Sequence, residues 1–182
     1  MKSNNSPSKS IIIKYGVVLG IISIIYGIVL YITGNMINAS PIQGIVDLAL
    51  LICVITYGIY GYKIANKGFL ELRKALKIGV TIAIIGALIL IIWFFLLMKV
   101  IEPEIINQIV DVQYKKMIHR NPNISQEEIE KKIILIKTIN SFYIKSMMSL
   151  VSNLLFGFII SLIGGAIMSK KNHNTTINNE KQ

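Results

Sequence analysis

One acid stands inside an otherwise uncharged apolar stretch. No charged residue occurs from Tyr15 to Val46 or from Leu48 to Tyr62, and Asp47 lies between the two runs. An ionisable group inside a membrane span is costly and is a functional hypothesis by default. A carboxylate there can take a proton, a cation or a small ligand. Counted from Pro41, Asp47 sits roughly 9 Å along a helix, at about 1.5 Å per residue. That depth is close to an interface, where a helix N-terminus tolerates an anion, so the competing reading is a structural anchor. Asn153 falls at similar depth in the last apolar run. Tyr31 and Asn35 close the first run, and Lys99 and Lys145 flank the last two. Asp47 and Asn153 thus head a candidate intramembrane polar cluster.

No reactive constellation accompanies it. There is no HExxH, no GxSxG, no phosphate-binding glycine loop and no carboxylate pair beside a base. Cys53 is the only cysteine and has no ligand spacing around it. His119 and His173 stand alone in polar segments. The expectation is a non-enzymatic protein with no catalytic residue, metal or cofactor.

A second pattern is one of small residues. Gly16, Gly20, Ser23 and Gly27 share a helix face, as do Asn153, Gly157, Ser161 and Gly165, with Gly164 adjacent. Gly79, Ala83 and Ala87 follow the same rule. Such stripes can line a pore or groove. They also let helix backbones approach where no hydrophobic drive exists between helices, and this packing role is the favoured reading.

The elements that carry these residues are four long apolar stretches. About 20 apolar residues suffice to cross a bilayer as a helix. The spans are predicted at 12–33, 41–62, 78–100 and 147–168. A chain that is 53% hydrophobic is too apolar for an ordinary soluble domain of 182 residues. Ser40-Pro41 with Gln43 predicts a capping box opening the second span. Asn66-Lys67-Gly68 reads as a turn, and Phe69, Leu70, Leu72 and Leu76 as a short interfacial helix leading into the third span. Residues 101–145 form an outer helical hairpin, broken at Asn121-Pro122-Asn123. Ser125 with Glu128 caps its second helix, which lacks Gly or Pro and can run directly into span four. Trp93, deeper than the interfacial tyrosines, is read as packing or lipid-facing. Residues 1–10 and 170–182 are expected to be disordered polar tails. The first span is too long for a signal-peptide core and is read as uncleaved.

Charge sets the threading. The net charge of +10 suggests nucleic acid for a soluble protein, but here the basic residues cluster beside the apolar runs. Nucleic acid is therefore not an expected partner. Lys63, Lys67, Arg73, Lys74 and Lys77 face a single Glu71 in one connector. They are expected to meet anionic lipid head groups. The Gly34–Ser40 turn carries no charge, and in the hairpin acids nearly match bases. The positive-inside rule then places both termini in the cytoplasm and the hairpin outside.

Several short motifs lie along this frame: Lys14-Tyr15-Gly16, Lys67-Gly68-Phe69, Ala75-Leu76-Lys77-Ile78-Gly79, Ile101-Glu102-Pro103-Glu104, and Gly157 with Ser161-Leu162-Ile163. In these the chain resembles a family of bacterial integral membrane proteins called domain of unknown function 4199, over nearly its whole length. The resemblance implies four spans with a helical insert between the third and fourth, and no established activity. One departure is Thr138-Ile139-Asn140-Ser141, where such proteins often carry a proline. The expected fold is all-α, a polytopic membrane protein with four transmembrane helices and an extracytoplasmic helical hairpin. The expected role is an interaction or envelope component of the inner membrane, with a protein partner or homo-oligomer. The alternative is a small transporter or ligand-binding component using Asp47.

Overall fold

A computed structural model describes residues 7–38 and 40–170. Among these residues six α-helices run in the order α1 (Pro7–Ile32), α2 (Pro41–Ala65), α3 (Leu72–Leu96), α4 (Ile105–Arg120), α5 (Gln126–Asn140) and α6 (Phe142–Met168). Among the described residues, α1, α2, α6 and α3 with the turn that extends it to Ile101 are long and apolar enough to cross a membrane. The described residues are all-helical, with four candidate membrane spans. Most of the expected tails lies outside the described residues. Residues 7–10, assigned to the first tail, instead open α1.

The spans pack around α3, which carries α1 along one side and α6 along another, while α2 packs on α1 and α6. Small residues set these contacts. A Cβ added at Gly16 would fall 2.7 Å from Ile85 Cβ, and one at Gly20 would fall 2.6 Å from Ile89 Cβ. A step of four along α1 matches a step of four along α3, so the two helices run parallel. On the other side Gly157 meets Ala83, Ser161 meets Gly79 and Gly165 meets Ala75. Each step of four along α6 matches a step of four back along α3, so these run antiparallel. Ile55, Ile59, Ile78, Ile82 and Ala83 are fully buried between them. The large apolar side chains left exposed, Ile25, Leu155 and Ile167 among them, form the surface that lipid would cover.

The helix ends correct several expectations. Ser40 Oγ accepts from Ile42 N at 3.4 Å, and Ser125 Oγ from Glu128 N at 3.3 Å. Neither capping box closes in return. Gln43 Nε2 donates instead to Asn35 O at 2.6 Å, and Glu128 pairs with Lys132 at 2.7 Å. No separate interfacial helix precedes span three. Lys67 and Gly68 take positive φ, 56° and 84°, which stops α2. Leu70 then exchanges two backbone hydrogen bonds with Lys170, at 3.0 and 2.9 Å. Leu72 opens α3 directly, and Leu70 is buried.

α5 does not continue into α6. Ser141 is extended, with φ −61° and ψ 148°, and its hydroxyl donates to Thr138 O at 2.7 Å. This local bond competes with the helical ladder and makes the break without proline. At the other junction, α3 ends in a single π turn, Leu97–Ile101, closed by Glu102 N donating to Leu97 O at 2.8 Å. The extra residue aims Glu102 back at the bundle. Its carboxylate accepts from Tyr31 Oη at 3.1 Å and from Gln108 Nε2 at 2.9 Å, tying α1, α3 and α4 together. α4 and α5 pack on each other at this end, with Ile105, Ile109, Val110 and Ile129 buried.

Candidate functional site

The bundle is closed at one end and open at the other. α2 buries no residue before Leu51, so its first ten residues stand away from the tightly packed axis. The gap is a cavity of two adjoining lobes, about 440 and 450 Å³. Each of the four spans contributes to the wall that both lobes share: Ser23 from α1, Asp47 from α2, Phe94 from α3 and Lys145 from α6. The α4–α5 hairpin lies over the first lobe through Ile109, Gln113 and Ile136.

Asp47 and Lys145 are the charged groups of this wall. Both line both lobes, yet they form no ion pair with each other. The ion pairs among the described residues are Lys131–Glu127 and Lys132–Glu128, on the exposed face of α5. The Lys145 ammonium sits 5.6 Å above the ring of Phe94. Asp47 is exposed, and no hydrogen bond to its carboxylate occurs among the described residues. Tyr26 lines the first lobe beside it and donates weakly, at 3.5 Å, to Gln43 O.

The expected polar cluster is therefore divided. Asn153 lines the second lobe with Asp47, but its amide donates to Ser149 O at 2.9 Å within its own helix. Lys145 joins them. Tyr31 turns away to Glu102, and Asn35 donates to Thr33 Oγ1 at 3.0 Å while its carbonyl accepts from Gln43. Lys99 is exposed on the π turn and lines neither lobe.

The small residues also divide. Gly16, Gly20, Gly157 and Gly165 press on side chains of α3. Ser161 is fully buried, its hydroxyl bonded to Gly157 O. Gly27 lies against Trp93, where an added Cβ would fall 2.6 Å from Nε1. Trp93 is accordingly buried packing rather than a lipid-facing group, and its indole N–H has no acceptor among the described residues. Ser23 alone of its stripe lines both lobes.

Tyr26 and Asn140 were not singled out by sequence reasoning. The available signal was a polar atom within, or next to, an apolar run. Among the described residues, no three His, Cys, Asp or Glu side chains gather as metal ligands would.

A bundle of four membrane-length helices with a charged, one-ended cavity defines a polytopic helical membrane protein. The chain belongs to the family described as Protein of unknown function (DUF4199), which matches residues 14–170. No curated protein and no solved structure matches it.

Proposed function

We propose that this is a non-enzymatic protein of the bacterial inner membrane that holds a small ligand in the cavity between Asp47 and Lys145. One observation carries the reading: two opposite charges line the same cavity without pairing. Ionisable side chains within spans are costly and usually pair with one another or face a cavity. A purely structural pair would be expected to close the gap between them. Binding is favoured over conduction because the far half of the axis is filled by Ile55, Ile59, Ile78 and Ile82. The test is purification in mild detergent followed by mass spectrometry of what is released on denaturation. A small molecule or lipid retained near one per chain is expected, and it should be absent from Asp47→Asn and from Lys145→Gln. Identical retention by all three proteins would refute the reading.

Threading follows from charge. Lys63, Lys67, Arg73, Lys74 and Lys77 lie at the closed end of the bundle, opposite the hairpin. We place that end, with both termini, in the cytoplasm against anionic head groups, and the cavity and hairpin outside. Reporters fused after Gln182 or within 63–77 are expected to be cytoplasmic, and one within 121–125 external. An external C-terminal reporter would overturn this arrangement. A second role, as a contact component for another protein or another copy, is supported by the exposed Ile134, Leu135 and Ile139 on α5.

A further inference from the structure

We infer that the cavity takes a zwitterion, with its ammonium on Asp47 and its anionic group on Lys145. This rests on the ligand-binding reading above and names its chemistry. A simple cation would answer Asp47 and leave Lys145 in the same wall with only the face of Phe94 for company. An anion would do the reverse. A charge left without a partner at the wall forgoes the Coulombic gain that an opposite charge held beside it would give. A ligand carrying both signs satisfies both walls and adds no net charge to the membrane.

The surroundings also suit an attached apolar chain. The second lobe runs between α2 and α6, bounded by Leu48, Leu51, Met148 and Phe156. Met148 is 54% exposed and Phe156 41% exposed, so this wall gives onto the side of the bundle that lipid would cover. The first lobe, under the hairpin, is lined by Tyr26, Gln43 and Gln113, and the second carries Ser149, Ser152 and Asn153 beside its apolar residues. A zwitterionic head at the waist can therefore belong to a membrane lipid whose chain leaves between α2 and α6. It can equally belong to a free water-soluble zwitterion entering beneath the hairpin.

The experiment uses the full chain in detergent, with melting followed on addition of defined probes. These are phosphatidylethanolamine, phosphatidylglycerol as the anion-only lipid, glycerophosphoethanolamine as the free head group, and a long-chain primary amine. Phosphatidylethanolamine is expected to bind about tenfold or more tightly than phosphatidylglycerol, since charge-assisted hydrogen bonds at one end are lost. Asp47→Asn should abolish that preference, Lys145→Gln should weaken both phospholipids alike and abolish the preference of phosphatidylethanolamine over the amine, and Lys99→Gln, away from both lobes, should change neither. Melting of the ligand-free variants shows that they are folded. Competition by glycerophosphoethanolamine at comparable concentration supports the assignment with a free zwitterion as the source. Its failure to compete supports a lipid as the source. Equal shifts from phosphatidylglycerol or the amine, a preference over phosphatidylglycerol that survives Asp47→Asn, or one over the amine that survives Lys145→Gln, overturn the zwitterion but leave a cavity ligand standing. No shift with any probe also overturns it, and the retained-molecule measurement then decides the binding reading separately.

Discussion

Gly157→Leu is expected to abolish the folded, monodisperse protein in mild detergent, whereas Leu154→Ala leaves it intact. Leu154 is 46% exposed on the side that lipid would cover, so truncating it removes little protein contact. Gly157 is buried, and even a single added Cβ would fall 2.6 Å from Ala83 Cβ. Neither atom can swing aside, because both are fixed to helix backbone. The remaining leucine atoms must then part α6 from α3, and they do so where Ser161 also nests against Gly79. Overpacking of this kind costs about 3 kcal/mol or more when backbones must separate. Gly164→Ala supplies the control. Its Cβ would meet nothing closer than Met168 Cε at 3.6 Å, and alanine is the better helix former. It should melt at or slightly above the wild-type temperature. Size-exclusion profiles after graded heating measure all three. Equal melting of Gly157→Leu and Gly164→Ala would remove the close α3–α6 contact as a source of stability.

The spans were legible because a bilayer imposes length and apolarity together, and each sufficiently apolar stretch became one long helix. Which face of each span meets protein was less legible. These helices are apolar all round, so hydrophobicity does not separate a lipid face from a protein face. Glycines and serines were the visible marks, and they share faces with the contacts on α3. Even so, Ser23 lies on the stripe and faces the cavity rather than a helix. The junctions were hardest, because single hydrogen bonds decide them. Ser141 breaks α5 from α6 by bonding to Thr138, and Gly68 with the Leu70–Lys170 bridge removes the expected connector helix. The polar cluster was half legible. Depth along each helix matched Asp47 with Asn153, and Lys145 reaches the same cavity from the start of α6, but rotation and the π turn sent Tyr31 to Glu102 instead.

That division isolates Asp47 and sharpens what its charge should do. With Tyr31 and Asn35 engaged elsewhere, no hydrogen bond to the Asp47 carboxylate among the described residues holds the fold together. Removing its charge should therefore spare folding and affect only what the cavity binds. Asp47→Asn keeps size and hydrogen bonding while losing the charge. It is expected to reach normal membrane abundance and yet fail to complement a deletion strain. Asp47→Glu, which retains the charge on a longer arm, is expected to restore part of the phenotype. An anchoring role gives the opposite pattern, since an anchor needs polarity at the helix end and asparagine supplies it. The measurement is complementation, with membrane abundance determined in parallel and detergent melting of each purified variant beside it. Full complementation by Asp47→Asn at normal abundance would end the charge-dependent binding reading and return Asp47 to the role of anchor. Failure at normal abundance, together with partial rescue by Asp47→Glu, would locate the function in the negative charge itself, because Asp47→Asn holds folding, size and polarity constant and Asp47→Glu restores only the charge on a longer arm.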